Sequence, residues 1–171
     1  MKNLYDDKEF WVGRVAAAKS IGDPFYSVFR SGNAEWKRII NGRLAVMKEN
    51  ISPTARVLDA GCAFGWLSQY IPNPYTGVDQ TPALLEYGRE LYPQISLVEA
   101  ELQNLPFPDN SFDWIVCSCV KHGIVECEEN GLMPKGRWDK IESEFLRVAK
   151  SAIIWPSYQD GYEILSRQGD E

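Results

Sequence analysis

The stretch ARVLDAGCAFG, residues 55–65, decides how the rest of the chain is read. Arg56 to Asp59 has the apolar character of a short buried strand. The run Gly61-Cys62-Ala63-Phe64-Gly65 then turns the chain sharply into a helix that starts near Trp66. Glycine at such a turn lets the backbone approach a ligand and adopt angles that a Cβ would hinder. Loop amides and a helix N-terminus favour anionic groups. In a parallel α/β sheet, ligands sit at this carboxyl edge of the strands. By itself the motif also fits a purely structural turn, so its meaning depends on the residues downstream of it.

Working outward, strands and helices alternate. Residues 75–79, YTGVD, read as a second strand, and Thr81-Pro82 opens a helix that runs to about Leu91, with Thr as cap and Pro at the first helical position. Ile95 to Ala100 is a third strand. Phe112 to Cys119, FDWIVCSC, is a nearly continuous apolar run of the kind a strand buried on both faces shows. Residues 121–136 are rich in Gly and Glu and are expected to be a loop. Residues 137–150 are expected to form a helix, and Ala152 to Trp155 a fifth strand. Toward the N-terminus, residues 6–21 and 34–50 carry helical apolar stripes, Phe10, Trp11, Val15, Ala18 and Ile21 in one and Trp36, Ile40, Leu44 and Met47 in the other. Phe25 to Phe29 connects them. This pattern predicts five parallel strands in the order 3-2-1-4-5 with right-handed crossovers. Residues 1–52 are read as a helical extension or lid and residues 53–171 as the core, one domain overall.

The length of 171 residues suits one such domain. Residues 1–50 hold nine Lys/Arg against six Asp/Glu, whereas residues 51–171 hold nine against eighteen. An acidic half around the glycine turn argues against a nucleic-acid backbone as partner. No apolar run reaches transmembrane length, and MKNLYDDKEF lacks the marks of a signal peptide. The four cysteines, 62, 117, 119 and 127, are accordingly read as reduced thiols of a cytoplasmic protein. Cys117, Cys119, His122 and Cys127 match no common zinc spacing, so no metal is expected.

Four features line up at suitable distances: the glycine turn; Asp79, twenty residues after Asp59; Glu101, just past the third strand; and LPFPDNSFD, residues 105–113. A carboxylate at the end of the second strand can accept both hydroxyls of a ribose, although a plain loop acid would also sit there. The set resembles the class I S-adenosylmethionine-dependent methyltransferases, and within them the group that methylates small molecules, quinones and lipids. VLDAGCAFG matches their first motif, YTGVDQT the second, and EAELQNLPFPDNSFDWIV the third and fourth, so that the likeness covers residue 55 to about Tyr158.

The resemblance implies a three-layer, doubly wound, Rossmann-like sheet and S-adenosylmethionine as cofactor. It implies that Asp59 and Gly61 frame the methionine part, with Cys62, Ala63 and Gly65 as further cofactor-binding residues of the cradle. Asp79 would hold the ribose, Gln80 and Thr81 would lie beside the adenosine, Glu101 would face the adenine amine and Leu102 would pack on the ring. Cys119 and Val120 would border the methyl group and a small-molecule acceptor. His122, the single histidine, follows the fourth strand, where a general base is chemically sensible; the alternative is a loop histidine that only hydrogen-bonds. Tyr26 and Phe29, in the connector, fit either a substrate lid over the cofactor or helix-packing core, while Trp11 and Trp36 are read as packing core.

Two departures from the family pattern stand out. Ala63 replaces its middle glycine, and too few residues follow Tyr158 for its usual last helix and two strands. The fifth strand would then be an edge, and edges invite pairing. Either residues 159–171 fold back over it or two chains meet there as a homodimer. The function alternatives are a non-catalytic cofactor-binding protein, a partner-dependent subunit, or an enzyme that cleaves the cofactor.

Overall fold

The computed structural model describes residues 7–28, 33–156 and 161–167, with the side chains of 33–36 and 38 outside that description. The readings of Phe29 and Trp36 therefore fall outside the described residues. The central element is β1 (Val57–Ala60), buried throughout. It pairs in parallel with β2 (Tyr75–Asp79) on one side and β4 (Phe112–Ser118) on the other. β3 (Ser96–Glu99) adds in parallel to β2, and β5 (Ala149–Trp155) to β4. A sixth strand, β6 (Glu163–Ser166), pairs antiparallel to β5, giving the order β3-β2-β1-β4-β5-β6.

The five parallel strands have the expected order, and β6 is an addition. It settles where part of the tail goes: residues 163–166 fold back over β5, with Ile153 opposite Ile164. Arg167 fastens the end of β6 by donating to the carbonyls of Leu146, Arg147 and Ala149, and to the Asn110 side chain. The pairing positions on which the homodimer expectation rested are thus taken within the chain.

Alternate residues of the inner strands feed two apolar layers. Val57, Val116 and Ile153 face a layer built with α1 (Lys8–Ile21), α2 (Asn33–Asn50) and α3 (Pro82–Leu91). Leu58, Ile115 and Ile154 face α4 (Lys121–Glu129) and α5 (Arg137–Val148). That period of two is what places helices on both faces of a parallel sheet.

Local chemistry fixes the helix ends. Asp7 caps α1 by accepting from the Phe10 amide at 3.1 Å, and Gly22, at φ 76°, closes it. α3 lies so close to the glycine turn that a Cβ on Gly88 would stand 2.6 Å from the Phe64 carbonyl oxygen.

Helix α4 corrects the expected loop. Its sequence, KHGIVECEE, is acidic and carries a glycine, but Gly123, Ile124 and Cys127 are buried on one side. Glu128 also reaches the N-terminus of α5, where it accepts from the Trp138 amide at 2.9 Å and the Gly136 amide at 3.3 Å. Its negative charge thus lies at the end of α5 that favours it.

The segment 105–113 is clamped to α5. Arg147 donates to the carbonyls of Leu105 and Phe107 and to Asp109, and Glu144 accepts from the Leu105 amide at 2.8 Å. Asp113, at the start of β4, pairs with Arg56 and Lys150, and the Arg56 hydrogen bonds hold its carboxyl well below the usual range. In this chain LPFPDNSFD therefore has a structural job, fixing the entry to β4.

Candidate active site

A cavity of about 510 Å³ opens at the carboxyl ends of β1, β2 and β4, within the size range of small-molecule sites. Its floor is the glycine turn. Gly61 and Ala63 line it, and both have left-handed backbones, at φ 76° and 53°. A Cβ on Gly61 would stand 2.6 Å from the Val120 side chain, so the turn and the segment after β4 meet only because that atom is missing. Cys119, also on the wall, is left-handed at φ 63°. Two of the three non-glycine residues in this conformation among the described residues thus line one cavity. Each costs on the order of 1 kcal/mol relative to an ordinary backbone, and such strain gathers at functional sites.

Asp79 ends β2 with its carboxylate between two loops. One oxygen accepts from the Ala63 amide and the other from the Thr81 amide, both at 2.9 Å. Burial pushes its pKa up, while these amides pull it down. A carboxylate oxygen has more than one lone pair, so this arrangement positions Asp79 and leaves it able to accept from a ligand diol. Asp59, on β1, is buried and accepts from the Tyr75 hydroxyl at 2.8 Å.

Burial pushes the Asp59 pKa up to about 7; the Tyr75 hydrogen bond and the Arg43 charge work against this, and the Asp79 charge adds to it. The folded pKa therefore lies above the unfolded one. Between about pH 4 and about pH 7 the folded state retains a proton that the unfolded chain releases, so stability falls as pH rises through that window. Urea denaturation across it is expected to show a loss of up to about 4 kcal/mol in the wild type and a flatter profile in Asp59→Asn. Equal slopes in the two proteins would contradict the assignment.

Three arginines line the same cavity. Arg43, on α2, is buried. It donates to the Ser118 hydroxyl and to the Cys119 sulfur, the latter at 2.9 Å, and lies 5.7 Å from the Trp155 ring centre. Arg14, on α1, stacks over Tyr26 at 4.5 Å. Arg137, at the start of α5, donates to the Gln103 side chain at 2.8 Å. Apolar walls come from both layers, with Phe10, Trp11 and Trp66 on one side and Leu102, Ile124 and Ile141 on the other. A glycine cradle, an acid ending β2 and cations across from it suit a zwitterionic nucleoside ligand.

Comparison with known proteins agrees with this geometry. Residues 58–151, over half of the chain, match the family model described as methyltransferase domain. The chain belongs to the methyltransferase domain family. It is 30% identical over 101 residues to an uncharacterized methyltransferase of Bacillus subtilis, YodH, covering 55% of this chain and 43% of that protein. It is 29% identical over 102 residues to a fatty-acid O-methyltransferase of Mycolicibacterium smegmatis, covering 56% and 33%. The chain thus spans less than half the length of these curated relatives. A SAM-dependent methyltransferase from Methanosarcina mazei shares the fold, with a TM-score of 0.56 and 18% identity over 64% of this chain and 55% of that one.

Within this methyltransferase domain the expected residues divide. Asp59, Gly61, Ala63, Asp79, Gln80, Thr81, Leu102 and Cys119 line the cavity. Four others do not. Cys62 is buried beneath the turn in a small cluster with Leu85 and Leu97, and burial pushes its thiol pKa well up. Gly65 turns the other way, toward Ile95 and Leu97. Glu101 is exposed and accepts from the Gln103 side chain at 2.6 Å. His122 is exposed on the first turn of α4, where its main-chain amide donates to the Pro156 carbonyl at 3.1 Å. That bond ties α4 to the end of β5 and leaves the imidazole outside the cavity lining. Among the described residues no three His, Cys, Asp or Glu side chains gather as a metal site, and no helix is long and apolar enough to cross a membrane.

The sequence reading missed the arginines and took Trp11 for core alone. Arg43 had a signal, since it sits at helical spacing between Ile40 and Met47, both buried, and so interrupts an apolar stripe. A cation on a buried stripe needs anionic or polar company.

Proposed function

We propose that this chain binds S-adenosylmethionine in the cavity and transfers its methyl group to a small-molecule acceptor. The observation that carries the reading is the convergence of Asp79, the Gly61–Ala63 turn and Arg43 on one cavity. The family implies this cofactor, and the residues present fit it: Asp79 suits the ribose diol, Leu102 an adenine face, and Arg43 the amino-acid carboxylate. The bound cofactor supplies a methyl group already activated by a sulfonium. The chain's part is then to bind, orient and exclude water, and alignment of this kind lowers barriers by several kcal/mol. Residues 7–28 contribute Phe10, Trp11, Arg14 and Val28 to the wall, which supports a covering role for the N-terminal helices. The relative named for fatty acids supports a small acceptor with an apolar part.

The test is turnover. The purified chain, given S-adenosylmethionine and a panel of small acids, alcohols, phenols and amines, is expected to release S-adenosylhomocysteine only when an acceptor is present. Cofactor binding without release would favour a binding subunit. Breakdown of the cofactor without any acceptor would favour a cleaving enzyme.

A further inference from the structure

We infer that binding of S-adenosylmethionine expels a proton from Asp59, which becomes the buried counter-ion of the cofactor's amino group. This rests on the methyltransferase reading above and adds a proton-linked control of the same site.

The two carboxyl groups of the cavity are built differently. Asp79 accepts from two main-chain amides, those of Ala63 and Thr81, and so is braced as an anion. Asp59 is 3% exposed and, among the described residues, has one donor, the Tyr75 hydroxyl on Oδ2. No fully buried side-chain oxygen of the described residues lacks a partner, so Oδ1 of Asp59 opens onto the cavity that this residue lines. A carboxyl buried with a single neutral donor resists ionisation until a cation arrives.

The groups around Asp59 leave it poised. On β2, Asp79 adds negative charge beside it, and burial pushes the Tyr75 hydroxyl well above its ordinary range. In the turn and on β4, burial also raises the Cys62 and Cys117 thiols, so both stay neutral. Arg43, on α2, is the cation that favours the ionised form, but burial outweighs it and Asp59 is pushed up to about 7. In the cofactor, the amino group stands next to the carboxylate assigned to Arg43. That amino group stays protonated to about pH 8. On binding, the Asp59 O–H bond breaks, the proton leaves to solvent, and the carboxylate pairs with the ammonium. Below about pH 7 the free chain holds that proton, so affinity rises with pH until about 7 and then levels off.

The experiment is calorimetric titration of S-adenosylhomocysteine and of methylthioadenosine between about pH 5.5 and about pH 7.5, in buffers of different ionisation enthalpy. Both ligands are neutral at sulfur, and only the first carries the amino-acid end. For S-adenosylhomocysteine, Kd is expected to fall about 10- to 30-fold across this range, with close to one proton released per ligand at about pH 6. Methylthioadenosine is expected to release none. Asp59→Asn is expected to give a flat Kd for S-adenosylhomocysteine, near the wild-type value at the acid end, again without release. A pH-independent Kd without proton release in the wild type overturns the inference and leaves the methyltransferase reading standing. Equal release with methylthioadenosine overturns the pairing with the amino group. Release retained in Asp59→Asn assigns the proton to another group and overturns the role of Asp59. No binding of S-adenosylmethionine or S-adenosylhomocysteine at any pH overturns the methyltransferase reading itself.

Discussion

Replacing Asp79 with alanine is expected to weaken S-adenosylmethionine binding by about 1.5–3 kcal/mol, roughly 10- to 150-fold in Kd. Two losses add in that variant. The ribose diol loses a charged acceptor, and hydrogen bonds to charged groups are among the stronger ones. The amides of Ala63 and Thr81 also lose the oxygens that hold them at 2.9 Å, so the turn and the start of α3 are no longer fixed against each other. Leaving such donors unsatisfied costs about 1–3 kcal/mol of stability. Asp79→Asn keeps one side-chain oxygen, so it is expected to fall between alanine and the wild type on both counts. Calorimetry and urea denaturation measure the two effects separately. Unchanged affinity in Asp79→Ala would remove the ribose role, whereas unchanged stability would contradict the bracing of the turn.

Replacing Phe64 with alanine is expected to cost about 3–5 kcal/mol in folding stability. Phe64 sits inside the glycine turn, yet its ring points away from the cavity and is fully buried. It lies edge-on to Phe25 at 5.4 Å, and near Tyr87 of α3 and Tyr92 at 6.1 and 6.4 Å. One side chain thus joins the turn to the connector after α1 and to α3, and both carry residues of the cavity wall. The loss includes the transfer free energy of the ring and the cavity left behind. Cofactor affinity should fall with it, because Gly61 and Ala63 of the same turn line the cavity. A change below about 1 kcal/mol in urea denaturation would show that the ring's neighbours collapse freely into the gap.

Much of the fold was legible because a parallel sheet covered on both faces leaves a simple trace. The apolar runs at 57–60 and 112–118, the polar turns between them, and Thr81-Pro82 as a helix start read directly from composition and spacing. Helix α4 was not legible, because its buried side is short and its acids looked like loop solvation; Glu128 instead caps a neighbouring helix. β6 was too short and too mixed to announce itself, and its place depends on Arg167 reaching carbonyls near the end of α5 and the start of β5. At the site, the floor was readable since it is local: Asp59, Gly61, Ala63 and Asp79 lie on two adjacent strand ends. The walls were not, since Arg14 and Arg43 come from helices distant in sequence and face inward only through tertiary packing. The phrase LPFPDNSFD was legible as a family mark, but its clamp to Arg147 and Glu144 was visible only in three dimensions.

The most direct test of the central claim is a crystal structure of the chain with S-adenosylhomocysteine. The account predicts the ribose diol on the Asp79 carboxylate, the amino-acid end over the Gly61–Ala63 turn with its carboxylate toward Arg43, and the sulfur facing the wall of Phe10, Trp11 and Arg14. A nucleoside bound elsewhere, or a cavity left empty at saturating ligand, would contradict it.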